Sequence, residues 1–403
     1  MTANTTDTDR AVSFHSKFFT KCEKSVLQDR HFSQLAPRTT LRFTESSDEP
    51  NPVSALDFHP TGSYVAYTRG DGSLSLWKLK SDRSETYVTL TQALPKTLPA
   101  LKKDSFVSWN PFSGFLLAAI NDTDGLDIYD ASTGTIIKSL KTEAGAVYNM
   151  CLYDPSGKWL AVLTQDHQFL LFDADGDYEL LWQSRLCDLV NDVSSPCQIT
   201  SLVWSHDSSK VYAAFRSGEI KIYEVLTTGL QQLIAVSGHT GPVNCLKLDH
   251  TGSYLFAGGE DTICSIWDLS TMCCTLTINN FSDSIRDMDL SYDGSILALS
   301  SPTCLQIYAL DTRDSIYEII WKSKVDRPIF RFYPGRLAFM ASTENDLIAK
   351  FHKPNPSDDV DAHTTTTADK RGQPDRKLGN GASRRRDDDA PPRTRFVRRS
   401  VRR

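Results

Sequence analysis

The chain has 403 residues, 40% hydrophobic and 23% charged, with a net charge of −6. That apolar share supports a sizeable core and excludes a chain disordered throughout; no run of 18 apolar residues offers a membrane span, and the polar start MTANTTDTDR lacks the apolar stretch of a secretory signal. Nine scattered cysteines without a CxxC pair argue against a zinc ribbon or redox motif, and are expected to be reduced, buried thiols of an intracellular protein.

Residues 1–38 form an N-terminal extension. Within it, SFHSKFFTKCEKSVLQ (13–28) repeats Phe14, Phe18, Cys22 and Val26 at every fourth position, which predicts a short helix. Phe14, Phe18 and Phe19 on that helix form a patch that needs covering, either by a partner groove or by the chain's own body.

From residue 39 to 353 a pattern repeats. Seven turn-plus-strand segments close on an aromatic: Trp77, Tyr129, Phe172, Tyr223, Trp267, Tyr308 and Phe351. The spacing stays between 41 and 52 residues, and 92–104 and 183–198 are the insertions that lengthen two intervals. Before each aromatic comes a strand–turn–strand unit, from VSALDFHPTGSYVAYT (53–68) to PIFRFYPGRLAFMAS (328–342). Gly or Pro marks six of these turns, and Ser208–Ser209 fills the seventh. A fourth strand follows most aromatics, as in TIIKSL and CCTLTI. Four strands per repeat, seven times, predict an all-β, seven-bladed propeller of WD40 type.

One repeat carries the WD40 signature residues. Gly238-His239 precedes its first strand, Asp261 sits in the turn between the second and third, and Trp267-Asp268 ends the third. His, Asp and Trp form a hydrogen-bonded cluster in such repeats. The usual second-strand Ser/Thr falls at Gly258, so the cluster is expected to be incomplete. Pro354 and Pro356 deny the seventh repeat a fourth strand, while TLRFT (40–44) lacks a local partner. Residues 40–44 are therefore expected to complete blade seven and close the ring, removing exposed sheet edges.

Residues 354–403 read as a disordered tail. From 370 onward, thirteen Lys/Arg face four Asp, so this stretch carries +9 and the remainder −15. Arg384, Arg385, Arg386, Arg393, Arg395, Arg398, Arg399, Arg402 and Arg403 suit phosphate contacts, and Phe396 offers a stacking surface for a base. RNA binding, a nuclear localisation signal and a solvating charged tail are all consistent with this composition.

No HExxH, GxSxG, Walker A loop or GxGxxG opening a helix is present. The nine histidines are dispersed, and His59, His206 and His250 recur in turns as structural residues. No catalytic residue, metal, cofactor or small-molecule substrate is assigned. Cys273 and Cys274, adjacent on a strand, are expected to serve packing.

VAYTRGDGSLSLW (65–77), CLYDPSGKWL (151–160), HTGPV (239–243), MCCTLTINN (272–280) and KFHKPN (350–355) carry a resemblance across most of 53–355. The chain resembles the WD40 subunit of the THO/TREX transcription-export complex, of the budding-yeast type. The resemblance implies a non-catalytic nuclear scaffold coupling transcription elongation to mRNP assembly and mRNA export. It implies large helical subunits as partners, with a DEAD-box RNA helicase and an RNA-export adaptor in the same assembly. Propellers also serve as ubiquitin-ligase substrate receptors and histone readers, so the fold alone leaves those uses open.

Overall fold

The computed structural model describes residues 39–41, 52–70, 72–81, 88–92, 106–113, 116–120, 125–141, 147–186, 198–310, 313–321, 324–334, 339–342 and 347–350. The elements assigned among them are all β-strands, arranged in seven four-stranded antiparallel sheets. Six sheets use consecutive strands, here lettered a to d. Blade 1 holds Val53–Phe58, Tyr64–Arg69, Leu74–Ser81 and Val88–Gln92, and blade 2 holds Val107–Trp109, Leu116–Ile120, Leu126–Asp130 and Thr135–Leu140. Blade 3 holds Tyr148–Tyr153, Trp159–Thr164, Gln168–Asp173 and Glu179–Arg185. Blade 4 holds Ile199–Trp204, Lys210–Phe215, Glu219–Leu226 and Gly229–Ser237. Blade 5 holds Val243–Leu248, Tyr254–Gly259, Cys264–Asp268 and Cys273–Ile278, and blade 6 holds Asp287–Leu290, Ile296–Ser300, Cys304–Ala309 and Asp314–Ile320.

The seventh sheet joins the two ends of the ring. Phe330–Phe332, Phe339–Ser342 and Leu347–Lys350 supply strands a to c, and Thr39–Leu41 lies against the last of them. Thr39 faces Ala349 and Leu41 faces Leu347. The strand begins one residue earlier than the 40–44 expected and is shorter. Its partner is only four residues long, which limits the ladder it can offer. Residues 42–44 lie outside the described residues.

Burial falls from hub to rim. Second strands are buried on both faces, because each blade is sandwiched between two neighbours. Their sequences accordingly read as continuous apolar runs such as WLAVLT and KVYAAF. A buried alanine recurs at mid-strand in every blade (Ala66, Ala118, Ala161, Ala213, Ala257, Ala298 and Ala341), which lets adjacent sheets approach closely. Seven apolar clusters result, each between two adjacent blades. The one across the closing seam packs Tyr333 and Met340 of blade 7 against Val53, Leu56, Phe58 and Tyr67 of blade 1.

Fourth strands are largely exposed, and in five blades they carry a bulge opposite the aromatic position of strand c. Cys273 and Cys274 sit at the start of such a strand and are both exposed, so they do not fill a core. A rim strand has a neighbour on one edge only, and its side chains meet water. Cys151, Cys245, Cys264 and Cys304 are buried.

Candidate functional site

Two polar constellations stand out, one locking blade 5 and one lining the hub. In blade 5, Asp261 in the b–c turn lies 3.0 Å from His239 Nδ1 through each carboxylate oxygen. His239 Nε2 is 2.7 Å from Ser265 Oγ, and Trp267 Nε1 donates to the same oxygen at 2.8 Å. Asp261 also accepts from the Thr240 amide at 3.1 Å. Since Ser265 already accepts from the indole, its own proton is directed to His239 Nε2, which leaves the Nδ1 proton for Asp261.

The cluster is therefore complete, and the expected gap at Gly258 does not exist. Ser265 lies two residues before Trp267 on the same strand, so the two side chains share a face. Gly258 faces the other way. A Cβ there would stand 2.7 Å from Ile285 and 2.8 Å from Met288 of blade 6. Sequence reasoning placed the hydroxyl on strand b; the i, i+2 relation of Ser265 and Trp267 was the signal that would have found it.

Asp261, His239 and Ser265 have the hydrogen-bond order of a hydrolase triad. The surroundings give them a different role. Ser265 is 1% exposed and its oxygen is engaged by Trp267, so no carbonyl carbon could reach it. The group instead clamps the loop before strand a to the b–c turn and to strand c.

The other blades secure the equivalent aromatic differently. Trp77 Nε1 donates to Tyr67 Oη at 3.0 Å in blade 1. Tyr223 Oη donates to the Leu186 carbonyl at 3.0 Å. Tyr308 Oη donates to Gln306. Tyr129 and Phe172 are buried in the core.

The hub constellation comes from first strands. Most of these lie beside one another around the axis, and several present side chains toward the backbone of the next. Ser108 Oγ accepts from the Tyr153 amide at 3.0 Å, and Ser201 Oγ accepts from the Leu246 amide at 3.2 Å. Asp57 Oδ2 accepts from the Trp109 amide at 3.3 Å. Asp287 accepts from the Phe330 amide at 2.9 Å, and Asp289 from the Phe332 amide at 2.8 Å. Two cations join them: Arg331 bonds Asp287 at 2.5 Å and Lys247 pairs with Asp289 at 3.0 Å.

The charged side of the hub thus runs through blades 5, 6, 7 and 1, with three carboxylates against two cations. Burial pushes the Asp57 carboxyl up to about 6, a rise that nearby Arg331 and Lys247 only partly oppose. The same carboxylates hold the Arg331 guanidinium firmly protonated. Among the described residues, no group of three or more His, Cys, Asp and Glu is placed to hold a metal ion.

Outside strand a, a further set of links joins the a–b turns. His206 Nε2 reaches the Asp249 carbonyl at 2.6 Å, Asn110 Nδ2 donates to the Gly157 carbonyl at 3.0 Å, and Tyr333 Oη donates to the Gly62 carbonyl at 2.7 Å. His59 stacks edge-to-face on Trp109, with ring centroids 5.2 Å apart. The recurring turn histidines are thus inter-blade connectors.

The arginines from Arg384 to Arg403, Phe396, Phe351 and the Phe14, Phe18 and Phe19 patch lie outside the described residues.

Comparison with known proteins follows the blade pattern. The family model for the WD domain, G-beta repeat, matches residues 39–78 and 230–268. The second segment contains the clamp of blade 5. Protein TEX1 of Saccharomyces cerevisiae is 28% identical over 351 residues, covering 84% of this chain and 82% of that protein. THO complex subunit 3 of Arabidopsis thaliana is 22% identical over 212 residues, 52% of this chain and 63% of that one. Pre-mRNA-splicing factor cwf17 of Schizosaccharomyces pombe is 29% identical over 127 residues, 31% of this chain and 34% of that one. With the propeller architecture and the His239–Asp261–Ser265–Trp267 clamp, the family match gives residues 39–78 and 230–268 the character of WD40 repeats, and the chain is similar to WD40-repeat proteins.

Proposed function

We propose that the chain is a non-catalytic scaffold subunit of a nuclear THO/TREX-type complex, coupling transcription elongation to mRNP assembly and mRNA export. The observation that carries this reading is the similarity to relatives that include THO complex subunit 3, with the TEX1 alignment spanning 84% of the chain. The architecture is consistent with it. A ring tied at hub, turns and core offers a rigid platform with several surfaces, which suits docking on large helical subunits. In this reading a DEAD-box RNA helicase and an RNA-export adaptor share the assembly. Residues 370–403, with net charge +9, contact RNA chiefly through phosphates, with Arg384, Arg385, Arg386, Arg395, Arg398 and Arg399 foremost.

The test is affinity purification of the tagged chain with nuclease treatment, followed by mass spectrometry. Nuclease-resistant recovery of large helical subunits and the helicase is the expected result. Recovery of a cullin adaptor or a chromatin enzyme in their place overturns it. Deleting 370–403 should lower RNA retention and flatten its salt dependence while leaving assembly intact. Unchanged retention at low salt would remove the tail from the mechanism.

A further inference from the structure

Among the described residues, blade 7 is the smallest sheet of the ring. Its strands hold three, four, four and three residues, against four, five, six and seven in blade 6. Strand d thus runs for about 24 Å in blade 6 and about 10 Å in blade 7. On that side the outer flank of blade 6 lacks a neighbour of its own length. The flank is apolar all the same. Ile319 pairs with Leu305 and Tyr317 with Ile307, both members of the cluster shared with blade 7, so these side chains lie on the blade 7 face. With Trp321 just beyond the strand, they border that cluster and stay only half-buried. On the other face of the same strand Ile320 is 73% exposed, the highest value among the large hydrophobic side chains described.

Chain connectivity selects what covers this flank. Thr39 opens strand d of blade 7, one blade away, and 38 residues precede it. Within them, 13–28 place Phe14, Phe18, Cys22 and Val26 on one helical row, with Lys17, Lys21 and Lys24 off it. Sixteen residues of helix are about 24 Å long, which matches strand d of blade 6. The ten residues from 29 to 38 extend to about 34 Å. Facing sheets lie about 10 Å apart, so this tether reaches the next blade. The chain's other exit from blade 7, residues 354–403, has no such apolar row.

We infer that residues 13–28 form an amphipathic helix that docks on the blade 7 side of blade 6, with Phe14, Phe18 and Val26 seated against Tyr317, Ile319 and Trp321. The tether makes this contact intramolecular, which favours it over an equally apolar free partner. The inference stands apart from the proposed role in mRNA export.

The test uses the full chain with Phe18 replaced by the photo-crosslinker p-benzoylphenylalanine. Irradiation, trypsin digestion and mass spectrometry should join the segment to residues 314–322 of the same chain, the fragment released by cleavage after Arg313 and Lys322. Cross-links only to other blades, or to a second chain, overturn the inference. In the unmodified chain, Cys22 should react with maleimide about tenfold more slowly than the exposed Cys273 and Cys274, as a segment docked about 90% of the time requires. Phe14→Glu combined with Phe18→Glu should raise the Cys22 rate to theirs. The buried Cys151, Cys245 and Cys264 should stay unreactive in that variant, which reports an intact propeller. Equal labelling of Cys22 and Cys273 in the unmodified chain overturns the inference.

Discussion

Tyr333 Oη donates to the carbonyl of Gly62 at 2.7 Å, across 271 residues of sequence. This bond ties the last blade to the first, at the seam where Phe58 and Tyr333 also pack edge-to-face with centroids 5.6 Å apart. Gly62 has φ +71°, and a Cβ there would lie 2.8 Å from the Tyr333 hydroxyl. Tyr333→Phe should cost about 1–2 kcal/mol, because a carbonyl loses its donor in a buried seam. Gly62→Ala should cost more, since it adds left-handed strain to the clash. Equilibrium urea unfolding measures both, and a Tyr333→Phe variant as stable as the parent would show that the seam rests on apolar packing alone.

Ser265 and Gly258 together test which strand carries the hydroxyl of the clamp. Ser265→Ala strands the Trp267 indole N–H and His239 Nε2 inside blade 5, so it should cost about 2–4 kcal/mol. Gly258→Ser does not complete a polar cluster; it drives an oxygen-bearing side chain into Ile285 and Met288, and should destabilise as well. Thermal unfolding of the two variants separates the models. A stabilising Gly258→Ser would return the hydroxyl to strand b.

The repeat was legible because each blade solves the same packing problem. Alternation in strand a, continuous apolar character in strand b and an aromatic in strand c follow from position relative to the neighbouring blades. The connectors between blades were less legible. Asp57, Asp287 and Asp289 look like ordinary strand acids, and only the ring brings each to the backbone of the next blade. Leu233 gave no sign of exposure, because alternation over GLQQLIAVS does not reveal a bulge. Ser265 was missed for a related reason: a hydroxyl can reach His239 from either of two adjacent strands, and only the register distinguishes them.

Asp57 should make stability depend on pH in mild acid. Its folded pKa of about 6 stands above the ordinary 3.8, so the folded chain holds this proton more tightly than the unfolded chain. The preference is fully present below about 4, is lost as pH rises toward 6, and is absent above it. The span corresponds to about 3 kcal/mol. Asp57→Asn keeps an acceptor for the Trp109 amide and removes the titration. It should therefore flatten this part of the profile and raise stability at pH 7.5. Urea midpoints between pH 4 and pH 8 provide the measurement, and parallel profiles for the two proteins would rule Asp57 out as the titrating group.

Ser208 occupies the blade-4 turn position where Gly62, Gly157, Gly252 and Gly294 stand in four other blades, and it shares their conformation with φ +60°. A side chain there bears left-handed strain of about 1–2 kcal/mol. Its hydroxyl offsets this by donating to Asp154 of blade 3 at 2.7 Å. Ser208→Ala keeps the strain and loses the bond, so it should destabilise by about 1–2 kcal/mol. Ser208→Gly loses both, and Asp154 Oδ2 keeps its bond from the Ser156 amide at 3.0 Å, so stability should stay near the parent value. Read from unfolding midpoints, alanine below the parent serine reports the Asp154 bond, and alanine below glycine reports the left-handed strain. Equal stability of the two variants would mean that the strain is negligible at this turn, and an alanine variant as stable as the parent would mean that the Asp154 bond is.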